Sequence, residues 1–158
     1  MITKTDFVTI FDSWARVFDL QTEGLSREDL FFQPQPGGNC IYWTLGHIMV
    51  NFISLAKVIQ MPLPDFVAKY QDYAHGSEPV LADSPDLPGL EQIHADYHEM
   101  SDLLSAAILA KDEAYFAEPS ERGGTHGTRM NFYAFHQAYH LGQLETLRNL
   151  TGHTEKLI

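Results

Sequence analysis

Apolar residues recur along the chain with a period close to 3.6, and they do so in four long stretches separated by segments rich in proline, glycine and acids. In the first stretch Phe7, Ile10, Phe11, Trp14, Val17 and Phe18 share one face. That spacing predicts a helix capped by Thr3 or Thr5, running to about Thr22 and stopped by Gly24. LSREDLFFQPQPGG predicts a short helical turn and then a proline-broken loop. Asn39 is the expected cap of a second helix, CIYWTLGHIMVNFISLAKVI, which Pro62 and Pro64 close off. It is apolar on nearly all sides, which marks it as the most buried helix. DFVAKYQDYAHG predicts a short helix and GSEPVLADSPDLPG a loop. A third long helix is expected from about Pro88 to Ala110, with Leu90, Ile93, Tyr97, Met100, Leu104 and Ala107 as its buried stripe. After a loop over 111–127 with one helical turn, a fourth helix runs from near Thr128 to Gly152.

No run alternates with period two and no segment repeats. The expectation is therefore an all-α protein, a four-helix bundle forming a single domain over 1–158. The roughly 25-residue excursion between the second and third helices permits a crossover, so plain up-and-down connectivity does not follow.

Composition narrows the function classes. The net charge is −11 with only ten Lys and Arg, which argues against nucleic acid, whose phosphates need clustered cations, and against anionic membrane surfaces. No stretch reaches the roughly 18 uninterrupted apolar residues of a membrane span. The N-terminus MITKTDFVTIFDSW lacks the basic start and smooth apolar run of a signal peptide. A single cysteine, Cys40, excludes an internal disulfide framework and fits a reducing, cytoplasmic setting.

The chemistry lies with the eight histidines. In FHQAYHLGQLETLRNLTG, His136 and His140 are four residues apart, and the stripe running back from Leu147 and Leu144 lands on His140, His136 and Tyr133. Two imidazoles on a face that should be buried require partners. They are either satisfied core histidines or two ligands of a divalent metal, the third coming from another helix. His47, one turn after Trp43 on the most apolar helix, is the candidate third ligand. HQAYH lacks the glutamate of the HExxH signature, so the motif brings no general base of its own. A second pair, His94 and His98, keeps company with Glu91, Asp96 and Glu99 and reads as a solvated or boundary face. His75, His126 and His153 fall in loops or beyond a cap and carry no signal. Cys40, in the first turn of the second helix, reads as a buried thiol or, through the helix dipole, as a nucleophile. It precedes His47 by about 10 Å along the axis, too far to share a metal with it.

NCIYWTLGHIMV (39–50) and FHQAYHLGQLETLRNLTG (135–152) together resemble the DinB-like family, also called the DinB/YfiT superfamily of metalloenzymes, which is distinct from the DNA polymerase sharing the DinB name. The first stretch is similar to the family's asparagine, isoleucine, tryptophan and GH pattern, the second to its HxxxHxGQ pattern. The resemblance implies a four-helix bundle in a variant of the up-and-down topology. It also implies a divalent metal, zinc or nickel, held by His47, His136 and His140. The better-understood relatives use a low-molecular-weight thiol such as bacillithiol or mycothiol for S-transfer or isomerisation, many others have no assigned reaction, and homodimers are common in the family.

Three imidazole ligands leave an open coordination position, the mark of a catalytic site, at which a water or thiol would lose its proton near neutral pH. The leading reading is a thiol-dependent transferase acting on a small electrophile. A metal-dependent hydrolase is the alternative. A non-catalytic module that binds metal or a small ligand, such as a stress-response protein, is a third, and a bundle whose histidines bind nothing is a fourth. Gln143 and Asn51, one turn after His140 and His47, are the expected groups to orient the ligands. Arg148 meets an anionic substrate or offsets a helix dipole. Tyr139 and Tyr133 supply a phenol to the pocket or pack, and the 61–85 and 111–127 loops shape it.

Overall fold

The computed structural model describes residues 3–157. Helix α1 spans Lys4–Thr22. Thr3 caps it in a box with Asp6, whose carboxylate accepts the Thr3 backbone N–H at 2.8 Å. Phe7, Phe11, Trp14 and Phe18 form its buried stripe. A one-turn helix α2, Arg27–Leu30, is capped by the same device from Ser26 and Asp29. Helix α3, Ile41–Val58, buries every residue except Val50, Ser54 and Lys57. Its cap is Cys40 rather than Asn39, because the chain is still extended at Cys40, whose carbonyl accepts the first helical N–H, from Thr44 at 3.1 Å.

The short helix expected after Pro64 is a 3-10 segment, Asp65–Tyr73. Its buried residues are Val67, Tyr70 and Tyr73, a spacing of three that suits three residues per turn. Tyr70 donates to the buried Asp96 carboxylate at 2.6 Å and Lys69 pairs with it at 2.7 Å, tying the segment to the next long helix. That helix, α4, spans Leu90–Leu109. Its buried line ends on Ile108, while Leu90 and Ala107 are only partly covered. A second 3-10 turn, Glu113–Ala117, precedes α5, His126–Leu150. Helix α5 starts two residues earlier than its apolar pattern suggests. Thr125 is the cap, and Thr128 is its box partner within the first turn. Gly127 in that turn has no room for a side chain, since a Cβ there would lie 2.9 Å from the Phe116 carbonyl.

Among the described residues no strand forms, and Pro119 and Thr125 make an isolated bridge. No helix is long and apolar enough to cross a membrane. Helix α1 packs on α4 and α5, and α3 packs on the same two helices and on the 3-10 segment Asp65–Tyr73. The first two long helices thus share neighbours. Phe18 stacked on Tyr97 at 3.8 Å marks the α1–α4 seam.

The buried face of α5 is rotated from the expected one. Met130, Ala134, Gln137, Leu141, Leu144 and Arg148 form its inner line, and His140 and Leu147 of the expected stripe are buried beside it. His136 and Tyr133 are half-buried at its edge, and Leu150 is exposed. His136 therefore stands on the rim of the α3–α5 seam and His140 is buried just inside it.

Candidate metal centre

The α3–α5 seam brings His47, His136 and His140 together, with one ring nitrogen of each within 4.8 Å of the others. The ring centroids of His47 lie 5.2 Å from His136 and 4.5 Å from His140. Each ring is held by its Nδ1. The His47 Nδ1–H donates to the Tyr73 carbonyl at 2.6 Å. The His136 Nδ1–H donates to Asn51 Oδ1 at 3.0 Å, and the His140 Nδ1–H to Gln143 Oε1 at 2.7 Å. The Asn51 amide has no freedom to flip. Its Nδ2 donates to the Tyr133 carbonyl at 3.1 Å and to Gln137 Oε1 at 2.7 Å, which turns the oxygen towards His136.

With Nδ1 protonated, each neutral ring carries a lone pair on Nε2. The Nε2 atoms of His136 and His140 are 3.1 Å apart, and with Nδ1 protonated on both rings both are acceptors. Two acceptors at that distance repel unless a cation lies among them. Ligand bonds of about 2.0–2.1 Å at a tetrahedral angle place nitrogens roughly 3.4 Å apart, so the donor set fits a first-row divalent ion.

A family model of the DinB superfamily matches residues 12–144. The chain belongs to that superfamily. No curated protein matches it.

In this DinB-superfamily chain the electrostatics favour neutral ligands. Burial lowers the pKa of His47, and burial followed by the neighbouring His47 lowers that of His136. His140 is pushed down to about 4, by burial first and by His47 next. All three are unprotonated at neutral pH, as a metal requires. Trp43 stacks on His47 at 4.7 Å and so supports the ring that enters from α3.

The centre forms one wall of a cleft of about 620 Å³. The Pro34–Asn39 loop, Tyr139 and Gln143 border it, and so does His75. None of the described residues lining it is Asp, Glu, Lys or Arg. His75 carried no signal because it follows the 3-10 segment in a loop, yet that segment packs on α3 and delivers it to the cleft. The Tyr73 carbonyl, which orients His47, is a backbone group and has no mark in the sequence. The only sequence trace of that contact is Gly46, where a Cβ would lie 2.3 Å from the Tyr73 ring.

Other candidates resolve differently. Gln143 orients His140 as expected, but Asn51 orients His136 across the seam rather than His47 on its own helix. Tyr133 turns away to Arg122 Nη1 at 3.1 Å, whereas Tyr139 lies at the cleft and its hydroxyl accepts from Gln143 at 3.3 Å. Arg148 is buried and donates to the carbonyls of Gln21 and Glu23, so it satisfies the C-terminal end of α1 rather than a substrate. Cys40 is buried, its thiol donates to the Val80 carbonyl at 3.3 Å, and burial raises its pKa. A raised thiol pKa removes the nucleophile reading.

Proposed function

We propose that His47, His136 and His140 hold a divalent metal, zinc or nickel, and that the chain is a thiol-dependent transferase acting on a small electrophile within a DinB/YfiT-type four-helix bundle of variant up-and-down topology. The observation that carries the proposal is the convergence of three Nε2 lone pairs, each fixed by its own Nδ1 hydrogen bond, on the wall of an open cleft. A metal bound there supplies Lewis-acid chemistry, lowering the pKa of a water or thiol that enters its open position.

The residues of the chain do the rest. Tyr73, Asn51 and Gln143 keep the imidazoles oriented and in one tautomer. Trp43 holds the His47 ring against the wall. In S-transfer a C–S bond forms as the bond from carbon to the leaving group breaks, and the thiol proton is released. His75, the imidazole of the cleft outside the triad, is available to receive it. The uncharged lining suits a neutral electrophile. Because it offers no carboxylate base beside the triad, it favours an incoming low-molecular-weight thiol over hydrolysis, the second reading.

Elemental analysis of the untagged protein beside His47→Ala, His136→Ala and His140→Ala tests the centre. Each variant should lose one equivalent of divalent metal relative to the parent. Unchanged metal content in all three would refute the centre. With metal restored, consumption of a thiol alongside a model electrophile supports transfer, and turnover independent of thiol supports hydrolysis. Bound metal with neither activity leaves the non-catalytic binding module as the reading.

A further inference from the structure

The α1–α4 seam holds a second cluster, Asp19, His94 and His98, with one ligand atom of each within 4.8 Å of the others. His98 Nε2 lies 2.8 Å from Asp19 Oδ1, and His94 Nδ1 lies 3.6 Å from the same oxygen. Among the described residues, the ion-pair partners of Asp19 are these two histidines, with no lysine or arginine. Asp96, close to the pair in sequence, is turned inward to Tyr70 and Lys69 and takes no part.

The Thr22 hydroxyl bears on the tautomer of His94. The hydroxyl of Thr22 is 2.7 Å from the Phe18 carbonyl, to which it donates its single hydrogen. With its hydrogen on that carbonyl it accepts from His94 Nε2–H, at 2.6 Å. In that tautomer the neutral ring points an Nδ1 lone pair at the Asp19 carboxylate, 3.6 Å away. A cation or a proton between the two atoms relieves that arrangement. Thr22 thus does for His94 what an oxygen partner does for a metal-ligating histidine, fixing which nitrogen is free.

We propose that Asp19, His94 and His98 form a second divalent-cation site, for zinc or another first-row ion with affinity for imidazole and carboxylate, that clips α1 to α4. The three side chains are part-exposed, with relative exposures of 48%, 30% and 43%. An ion can therefore reach them from solvent and complete its coordination with water. The ligands come from two helices, so binding also joins residues 75 positions or more apart in the chain and stabilises the fold by mass action.

The test is zinc binding at equilibrium to the full chain, with circular dichroism to verify folding. The parent should bind two equivalents of Zn2+ and the His136→Ala/His140→Ala variant one. Adding His94→Gln and His98→Gln to that variant should abolish the remaining equivalent, and Asp19→Asn alone should weaken it at least tenfold. The same variant should gain melting temperature on addition of zinc, and the gain should vanish with Asp19→Asn. If the parent binds one equivalent and the folded His136→Ala/His140→Ala protein none, a proton on His94 is the missing cation and the proposal falls, while the three-histidine centre stands. If its zinc binding is unaffected by His94→Gln/His98→Gln, the proposal also falls. A parent that keeps its full zinc complement in His136→Ala/His140→Ala but loses it with Asp19→Asn would uphold this site and refute the other.

Discussion

In a Gly46→Ala variant the new Cβ would lie 2.3 Å from Tyr73 Cγ and 2.5 and 2.7 Å from its two Cδ atoms. Carbon atoms rest about 3.5–4.0 Å apart, so the ring must retreat by more than roughly 1 Å. It cannot simply swing out. Tyr73 is buried, packed edge-on against Tyr42 with centroids 6.0 Å apart, and ends the 3-10 segment Asp65–Tyr73. The backbone at Tyr73 has to follow the ring. Its carbonyl accepts from His47 at 2.6 Å, and a shift of about 1 Å carries that contact beyond the roughly 3.2 Å range of a good hydrogen bond.

Two magnitudes then separate stability from metal affinity. Overpacking costs about 1–3 kcal/mol, and alanine in place of glycine within a helix returns about 1 kcal/mol. The variant should therefore fold, with a net loss of about 0–2 kcal/mol. Loss of the group that orients a metal-ligating histidine should lower zinc affinity about 10- to 100-fold. The assay is competition with a chromophoric chelator, in a background carrying His94→Gln and His98→Gln so that only the three-histidine centre is read. Removing the ring with Tyr73→Ala in the Gly46→Ala background frees the space but keeps the carbonyl, so affinity should recover. Parent-like affinity in Gly46→Ala, or a loss that Tyr73→Ala does not relieve, would refute the link from Gly46 through Tyr73 to His47.

Asn51→Leu should remove three hydrogen bonds from a buried position, those to Tyr133, Gln137 and His136. Urea denaturation should show a loss of about 2–4 kcal/mol, and zinc affinity should fall about tenfold or more as His136 loses its orientation. Arg148→Met leaves the Gln21 and Glu23 carbonyls without their donor. It should cost about 1–3 kcal/mol in thermal or urea unfolding and leave zinc affinity unchanged, because Arg148 serves α1 and not the cleft. A parallel loss of zinc would contradict that separation.

The three histidines were legible because each sits in a helix whose period is plain, and because a polar ring on the nearly all-apolar α3 must find its partner on another element. What a helical period reports is the face a side chain leaves from. It does not report what stands opposite. Asn51 follows His47 by one turn, which makes it the natural partner along α3, but α5 crosses close enough for Asn51 to take His136 instead. Asp19 escapes notice for the same reason: its partners His94 and His98 lie on another helix. The rotation of α5 has a related cause. Its inner line includes Gln137 and Arg148, polar residues that the core accepts because Gln137 Oε1 is paired with Asn51 and Arg148 with the end of α1. A face drawn from apolar positions passes over such residues and slides towards the next apolar line, here the one through Tyr133 and the histidines. That shift placed the imidazoles at the centre of a buried stripe, where packing would be their natural role. His136 instead stands on its edge and His140 is buried within it, and both line the cleft, where they are open to a ligand.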